Sequence, residues 1–335
     1  MRLIVLDGRD RRESEPLIAD VASHLGTFGI GVERVRLGRR PRQAYDAYAA
    51  LIATTDLPPE LRDRVVCYGS PQRDLRPRPV TLGWLQESGL PTMRWSLARD
   101  VREVLTLFER WRTDRILLKR SGSFGGEGVT MFTRERATEI AWNAPTDVFC
   151  AEVNPDDGDI YKLEMFGPTV LLGWTSRVPP ARSMLSDGVT SGLPGAYGTR
   201  APFAWPGSIV RAAAAFGERA LDHGHGHVSL DFMRTPAGGF EAIEANLGNV
   251  ALWWTAQFRA FRRNFAHAVH RTLVERHGAP HRPAPAPVRL RHRVTLAMQK
   301  PKILVRTVQA ARRRRQISRT LERTLAASSD PGISR

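Results

Sequence analysis

Residues 228–246 read VSLDFMRTPAGGFEAIEAN, two apolar runs separated by Pro236, Gly238 and Gly239, and that pattern predicts a β-hairpin. Pairing Thr235 with Phe240 across the loop gives a register in which Asp231 faces Glu244. Asn246, two residues further on, shares their face. Opposed carboxylates destabilise a strand pair and burial raises the cost, so this register calls for a cation between them. Three oxygen ligands, two of them acidic, favour a hard ion such as Mg2+, which also coordinates phosphate. A solvent-exposed hairpin face with hydrated acids is the competing reading.

Working back along the chain, DIYKLEMFGPTVLLGWTSR at 159–177 is a second hairpin, turning at Gly167-Pro168. Its simplest register sets Lys162 opposite Gly173 and gives Arg177 the same side. A lysine among Ile160, Leu163 and Met165 needs an anion, either a polyphosphate or the neighbouring Glu164. Earlier still, RILLK at 115–119 and VTMF at 129–132 read as strands around a loop carrying Gly122, Ser123, Gly125, Gly126 and Gly128. Backbone amides of such a flap can close over phosphate oxygens, with Lys119 at its entrance. A plain glycine-rich hairpin is the competing reading, and the commoner one for such a loop taken alone. P-loops and dinucleotide-binding turns lead from a strand into a helix, so neither fingerprint applies.

The basic residues support giving these lysines weight. Of 50 Lys and Arg in the 335-residue chain only four are lysine, Lys119, Lys162, Lys300 and Lys302. Where arginine is the default cation, a lysine suggests a position that needs a compact ammonium. The net charge of +16 is concentrated at the end of the chain: fourteen Arg or Lys against Glu322 and Asp330 give residues 281–335 a charge of +12, leaving +4 for the other 280. Leu304, Val308, Ala311, Ile317, Leu321 and Leu325 recur at helical spacing among those arginines. They predict a basic amphipathic helix suited to RNA, an anionic membrane, an acidic peptide or solvent alone.

In order, ILLKRSGSFGGEGVTMF, VFCAEVNPDDGDIYKLEMFG, the Arg of WTSR and SLDFMRTPAGGFEAIEANLGN resemble the ATP-grasp superfamily. The similarity is to its carboxylate-amine ligases, such as ribosomal-protein glutamate ligase and bacterial glutathione synthetase, and covers residues 60–265. It implies an α/β (α+β) chain in which two α+β subdomains clasp ATP, preceded by a small α/β domain. Lys119 and Lys162 would contact the nucleotide phosphates, and the loop with Ser123, Gly125, Gly126 and Gly128 would cover them. Glu152 would lie at the adenine and ribose hinge, while Asp231, Glu244 and Asn246 would hold Mg2+, two ions in this family, with Mn2+ an alternative. Arg177 and Lys162 would stabilise charge on the reacting groups. The implied reaction is amide formation between a carboxylate and an amine, on an amino acid or peptide, through an acyl phosphate. A phosphotransferase, or a non-catalytic ATP-binding protein with an RNA-binding tail, are the alternatives. The chain departs from the family after Arg177, where VPPARSMLSDGVTSGLPGAYGTR replaces an Arg-x-Asn segment, so Arg182, Asp187, Ser191 and Arg200 are open candidates for substrate contact.

The division expected is 1–78 for the N-terminal domain, 79–150 and 151–278 for the two subdomains, and 279–335 for linker and basic helical tail. The first part reads as a βαβ unit with Leu17, Val21 and Leu25 on its helix and a further strand near Arg64–Tyr68. Ser96 is expected to cap a helix whose stripe runs from Leu97 to Trp111, and Ser208 one that reaches Leu221. His223, His225 and His227 alternate as metal ligands would on a strand, or form an irregular lead-in to Asp231. Trp253 and Trp254 suit a helical core or a substrate wall. Two separated cysteines, Cys67 and Cys150, and no long apolar run point to a cytoplasmic protein without a transmembrane segment. Its oligomeric state is open, a homodimer included.

Overall fold

A computed structural model describes residues 2–7, 15–36, 47–52, 65–68, 78–120, 129–140, 147–151, 159–177, 199–247 and 258–285. They fall into two compact units, one drawn from residues 1–48 and 251–335, the other from 49–250. The glycine loop 121–128, Glu152, residues 178–198, Trp253, Trp254 and the basic tail from 286 lie outside the described residues.

In the first unit β1 (Arg2–Asp7) and β2 (Gly31–Arg36) run parallel around α1 (Glu15–Gly26), the expected βαβ arrangement. The stripe of Leu17, Val21 and Leu25 is buried, as are Phe261, Phe265, Val269 and Leu273 of α5 (Arg259–His277), which packs on α1. Strand β4 (Val65–Tyr68) lies where the sequence places one, whereas β3 (Ala47–Ile52) was not expected.

The second unit holds two antiparallel sheets. One has the order β5-β8-β6-β7, from β5 (Trp95–Ser96), β6 (Arg115–Lys119), β7 (Val129–Thr133) and β8 (Val148–Ala151). Helix α3 (Val101–Trp111) covers one of its faces, burying Val104, Leu107, Phe108 and Trp111 with Ile116, Leu118, Phe132 and Phe149. The alternation of a strand then directs Leu117 and Lys119 to the opposite face, together with Cys150. The cap of α3 is Asp100, not Ser96. Asp100 Oδ1 accepts from the Glu103 amide at 2.8 Å and the Glu103 carboxylate accepts from the Arg99 amide at 2.8 Å. This near-reciprocal box outcompetes a serine that is occupied in β5, and Leu97 is left 44 % exposed.

The other sheet has the order β11-β10-β9-β12-β13, from β9 (Ile160–Phe166), β10 (Thr169–Arg177), β11 (Thr199–Pro202), β12 (His227–Arg234) and β13 (Phe240–Leu247). Its apolar face carries Tyr161, Leu163, Met165, Val228 and Leu230, in one core with α2 (Arg78–Glu87) and α4 (Gly207–Asp222). Helix α4 opens after Pro206, so Ser208 lies inside it and is not the cap. A Cβ at Gly217 of α4 would lie 1.9 Å from the Gly167 carbonyl oxygen, so the helix reaches the β9–β10 turn only because this residue has no side chain. No described helix is long and apolar enough to cross a membrane.

Both hairpins differ from their simplest registers by one bulge. In β9–β10 Phe166 pairs with Thr169 as expected, but a shift between Val170 and Leu172 brings Lys162 opposite Trp174 instead of Gly173. Position 177 thereby takes the opposite parity to 162, and the expected shared side of Arg177 and Lys162 is lost. In β12–β13 Asp231 does face Glu244, yet Phe240 pairs with Arg234 and not Thr235. Thr235 instead closes the turn, its amide donating to the Gly239 carbonyl at 2.9 Å and its carbonyl accepting from the Gly238 amide at 2.8 Å, with Gly238 at a φ of 81°. The one-residue difference is absorbed at Ile243, between the pairs Asp231–Glu244 and Phe232–Ala242.

Candidate active site

The face of the five-stranded sheet opposite the helices is polar. One row across the strands reads Trp174, Lys162, Asp231, Glu244, and the next reads Leu172, Glu164, Ser229, Asn246. The registers thus bring together on adjacent strands four residues singled out in the sequence, Lys162, Asp231, Glu244 and Asn246.

Lys162 lies directly opposite Asp231, its Nζ 2.5 Å from Oδ2. Burial pushes the lysine pKa down, but the Asp231 carboxylate, together with Glu164 and Glu244, outweighs this and holds it above the ordinary value. Asp231 itself is pushed up to about 6, first by burial and then by Glu244, against the pull of Lys162. Its second oxygen, Oδ1, is buried without a hydrogen-bond partner, and an orphaned carboxylate oxygen of that kind can serve as a ligand to a cation. Glu244 is 32 % exposed and held by Arg78 at 3.1 Å. Burial raises its pKa, yet Arg78, Lys119 and Lys162 together bring it below the usual carboxylate range. The Lys162 carbonyl also accepts from the Trp205 indole at 3.2 Å.

Lys119 arrives from the other sheet. It is 6 % exposed, and its Nζ donates to the Ile243 carbonyl at 3.0 Å. Ile243 is the bulged residue, so the kink in β13 turns toward Lys119 a carbonyl that a regular ladder would have used. Burial lowers the lysine pKa, only partly offset by Cys150 and Glu244. Cys150 itself is a free buried thiol, pushed up to about 11 by burial.

Two acidic oxygens and an amide oxygen, one of the carboxylate oxygens unpartnered, match the donor set that magnesium takes. The three flanking cations Lys119, Lys162 and Arg78 suit a polyphosphate. Arg78, at the start of α2, is a member that sequence reasoning missed. In an arginine-rich stretch nothing local distinguishes it, and only the approach of α2 to β13 brings it to Glu244. Lys162 was expected to meet a polyphosphate or Glu164; in the structure Asp231 holds it. The histidines do not converge on a metal: His223 stacks on Trp84 at 4.7 Å, His225 is buried, and His227 Nε2 lies 3.0 Å from Glu164 Oε2. Among the described residues no cluster of three or more His, Cys, Asp or Glu could hold an ion. The Asp231 set differs in drawing on an amide. Ser123, Gly125, Gly126, Gly128 and Glu152 lie outside the described residues, and of Arg177 only the backbone is described, paired with Thr199.

No protein-family model matches the sequence, and no curated protein matches it. Solved structures do. D-cycloserine synthetase DcsG superposes with a TM-score of 0.53 at 15 % identity, over 81 % of this chain and 100 % of that one. A RiPP-associated ATP-grasp ligase from Chryseobacterium gregarium, solved with ADP and a leader and core peptide, gives 0.55 at 12 % identity, over 84 % and 98 %. The ATP-grasp ligase PsnB, complexed with a minimal precursor, Mg and ADP, gives 0.51 at 12 % identity, over 82 % and 98 %.

Proposed function

From the ATP-grasp fold that this chain has, we propose that it is an ATP- and magnesium-dependent ligase joining a carboxylate to an amine, with an amino acid or peptide as substrate. The observation that carries the reading is the Asp231 carboxylate, buried, opposite Glu244, and with one oxygen unpartnered among three cations. The matched structure solved with ADP and a leader and core peptide makes a peptide the first substrate to test.

Asp231, Glu244 and Asn246 would hold magnesium, whose contribution is to neutralise and orient the phosphate oxygens. Lys119 and Lys162 bind the phosphates, the glycine loop with Ser123, Gly125, Gly126 and Gly128 excludes water above them, and Glu152 meets the base and ribose. The substrate carboxylate attacks the γ-phosphorus and ADP leaves, giving an acyl phosphate. The amine nitrogen then attacks the acyl carbon, phosphate departs with the bonding electrons, and the amine gives up a proton. No side chain becomes a nucleophile, so catalysis rests on positioning and on charge preorganised out of water.

The test is ADP and phosphate release with Mg2+ across amino acids and peptides, with the coupled product identified by mass. Glu244→Ala is expected to abolish turnover with the thermal melt retained. Full activity in that variant would overturn the reading.

A further inference from the structure

Beneath the proposed nucleotide site lies a carboxylate for which that reading has no use. Glu164 is wholly buried, as are His227, Ser229 and Trp174 around it. Its Oε1 accepts from the Trp174 indole at 3.0 Å and from the Ser229 hydroxyl at 3.2 Å, and its Oε2 lies 3.0 Å from His227 Nε2. None of the three neighbours is an arginine or lysine, and a carboxylate so placed is expensive to keep dry. Packing does not require it, because Leu172 fills the neighbouring position of the same row. The closest lysine along the chain is Lys162, two residues up β9 on the same face.

The link between the two is Trp174. Its N–H is given to Glu164, and its ring lies 5.7 Å from the Lys162 ammonium. Donating a hydrogen bond to an anion enriches the indole ring and strengthens its attraction for a cation. The Lys162 ammonium therefore lies in one position against two groups, the Asp231 carboxylate and a Trp174 face backed by a buried negative charge. A divalent ion that takes Asp231 must part the ammonium from it, and the Trp174 contact, which is kept when that bond breaks, makes the parting easier.

We propose that Glu164, acting through Trp174, is a positioning residue that holds Lys162 in place and frees Asp231 for a divalent cation. This rests on the nucleotide-site reading above. The experiment is calorimetric titration of the full chain with ADP over a series of Mg2+ concentrations, starting from none, with each variant's thermal melt recorded. Glu164→Gln keeps size and hydrogen-bonding capacity but removes the charge. The Mg2+ concentration for half-maximal ADP binding is expected to rise about tenfold, the order of one screened charge interaction, while ADP affinity without Mg2+ is unchanged or tighter. Trp174→Phe, which keeps a ring but breaks the link, is expected to move it about threefold the same way. If the Gln variant does not fold, this one carries the test. Ser229→Ala, which leaves the charge in place, should not move the midpoint. An unshifted midpoint in Glu164→Gln, or equal weakening with and without Mg2+, overturns the proposal and leaves the nucleotide reading intact. Failure of the unaltered chain to bind ADP at any Mg2+ concentration overturns both.

Discussion

At the scale of single residues the site is assembled from groups that the fold would be more stable without. Lys119 is a buried ammonium held by one backbone carbonyl, with its pKa lowered by burial. A lysine whose folded pKa lies below the unfolded value binds its proton less well in the native state, so at neutral pH the charge opposes folding, and stability rises only as pH climbs toward 10.5. Lys119→Met is therefore expected to raise the melting temperature of the ligand-free chain by about 2–4 °C, the equivalent of roughly 1 kcal/mol. It should also weaken ADP binding about tenfold or more, the loss of a charge-assisted contact. Calorimetry and nucleotide titration on one preparation check both signs. A stability loss would mean that the hydrogen bond to the Ile243 carbonyl contributes more than the buried charge costs.

At the scale of elements, two close contacts dominate. Helix α4 meets the β9–β10 turn through Gly217, where a methyl group would fall 1.9 Å from the Gly167 carbonyl oxygen and 2.7 Å from its carbon. Backbone cannot yield as a side chain does, so Gly217→Ala is expected to destabilise by about 2–3 kcal/mol. The drop appears in a thermal melt. Packing of α1 on α5 depends instead on protonation. His24 lies among His267, His270 and Phe28, with ring centroids at 4.1, 5.4 and 5.3 Å. Burial, then His267 and His270, lowers its pKa to about 4. Between that value and 6.5 the unfolded chain binds the proton more tightly, so His24's contribution is complete above pH 6.5 and is lost as pH falls through 4. Melting temperatures measured from pH 7.5 down to 5 are expected to fall, and His24→Phe should flatten that slope.

For the whole molecule, binding and stability are linked. A ligand that occupies only the native site adds about 2.7 kcal/mol at a hundred times its dissociation constant. Saturating ADP with Mg2+ should accordingly raise the melting temperature by roughly 5–10 °C, and Asp231→Asn should abolish the part of that shift that depends on Mg2+. The same shift without Mg2+ would remove the metal from the account. The fold also explains why the site lies across two sheets. Lys119 from one reaches the bulged strand of the other, where its ammonium meets the Ile243 carbonyl, and the two sheets share one apolar core.

All strands but β3, β5 and β11, and the pairing of Asp231 with Glu244 in the β12–β13 hairpin, were legible in the chain, because side-chain period and turn residues are local properties. Their rarity among arginines also singled out Lys119 and Lys162, which the structure brings to the Ile243 carbonyl and to Asp231. What only tertiary structure decided were the two bulges, which brought Lys162 to Trp174 and shifted Phe240 from Thr235 to Arg234, and the recruitment of Arg78 to Glu244. Register slips by one residue wherever packing on the buried face favours it, and an arginine becomes part of a site when a distant helix brings it there. Neither is written in any window of neighbouring residues.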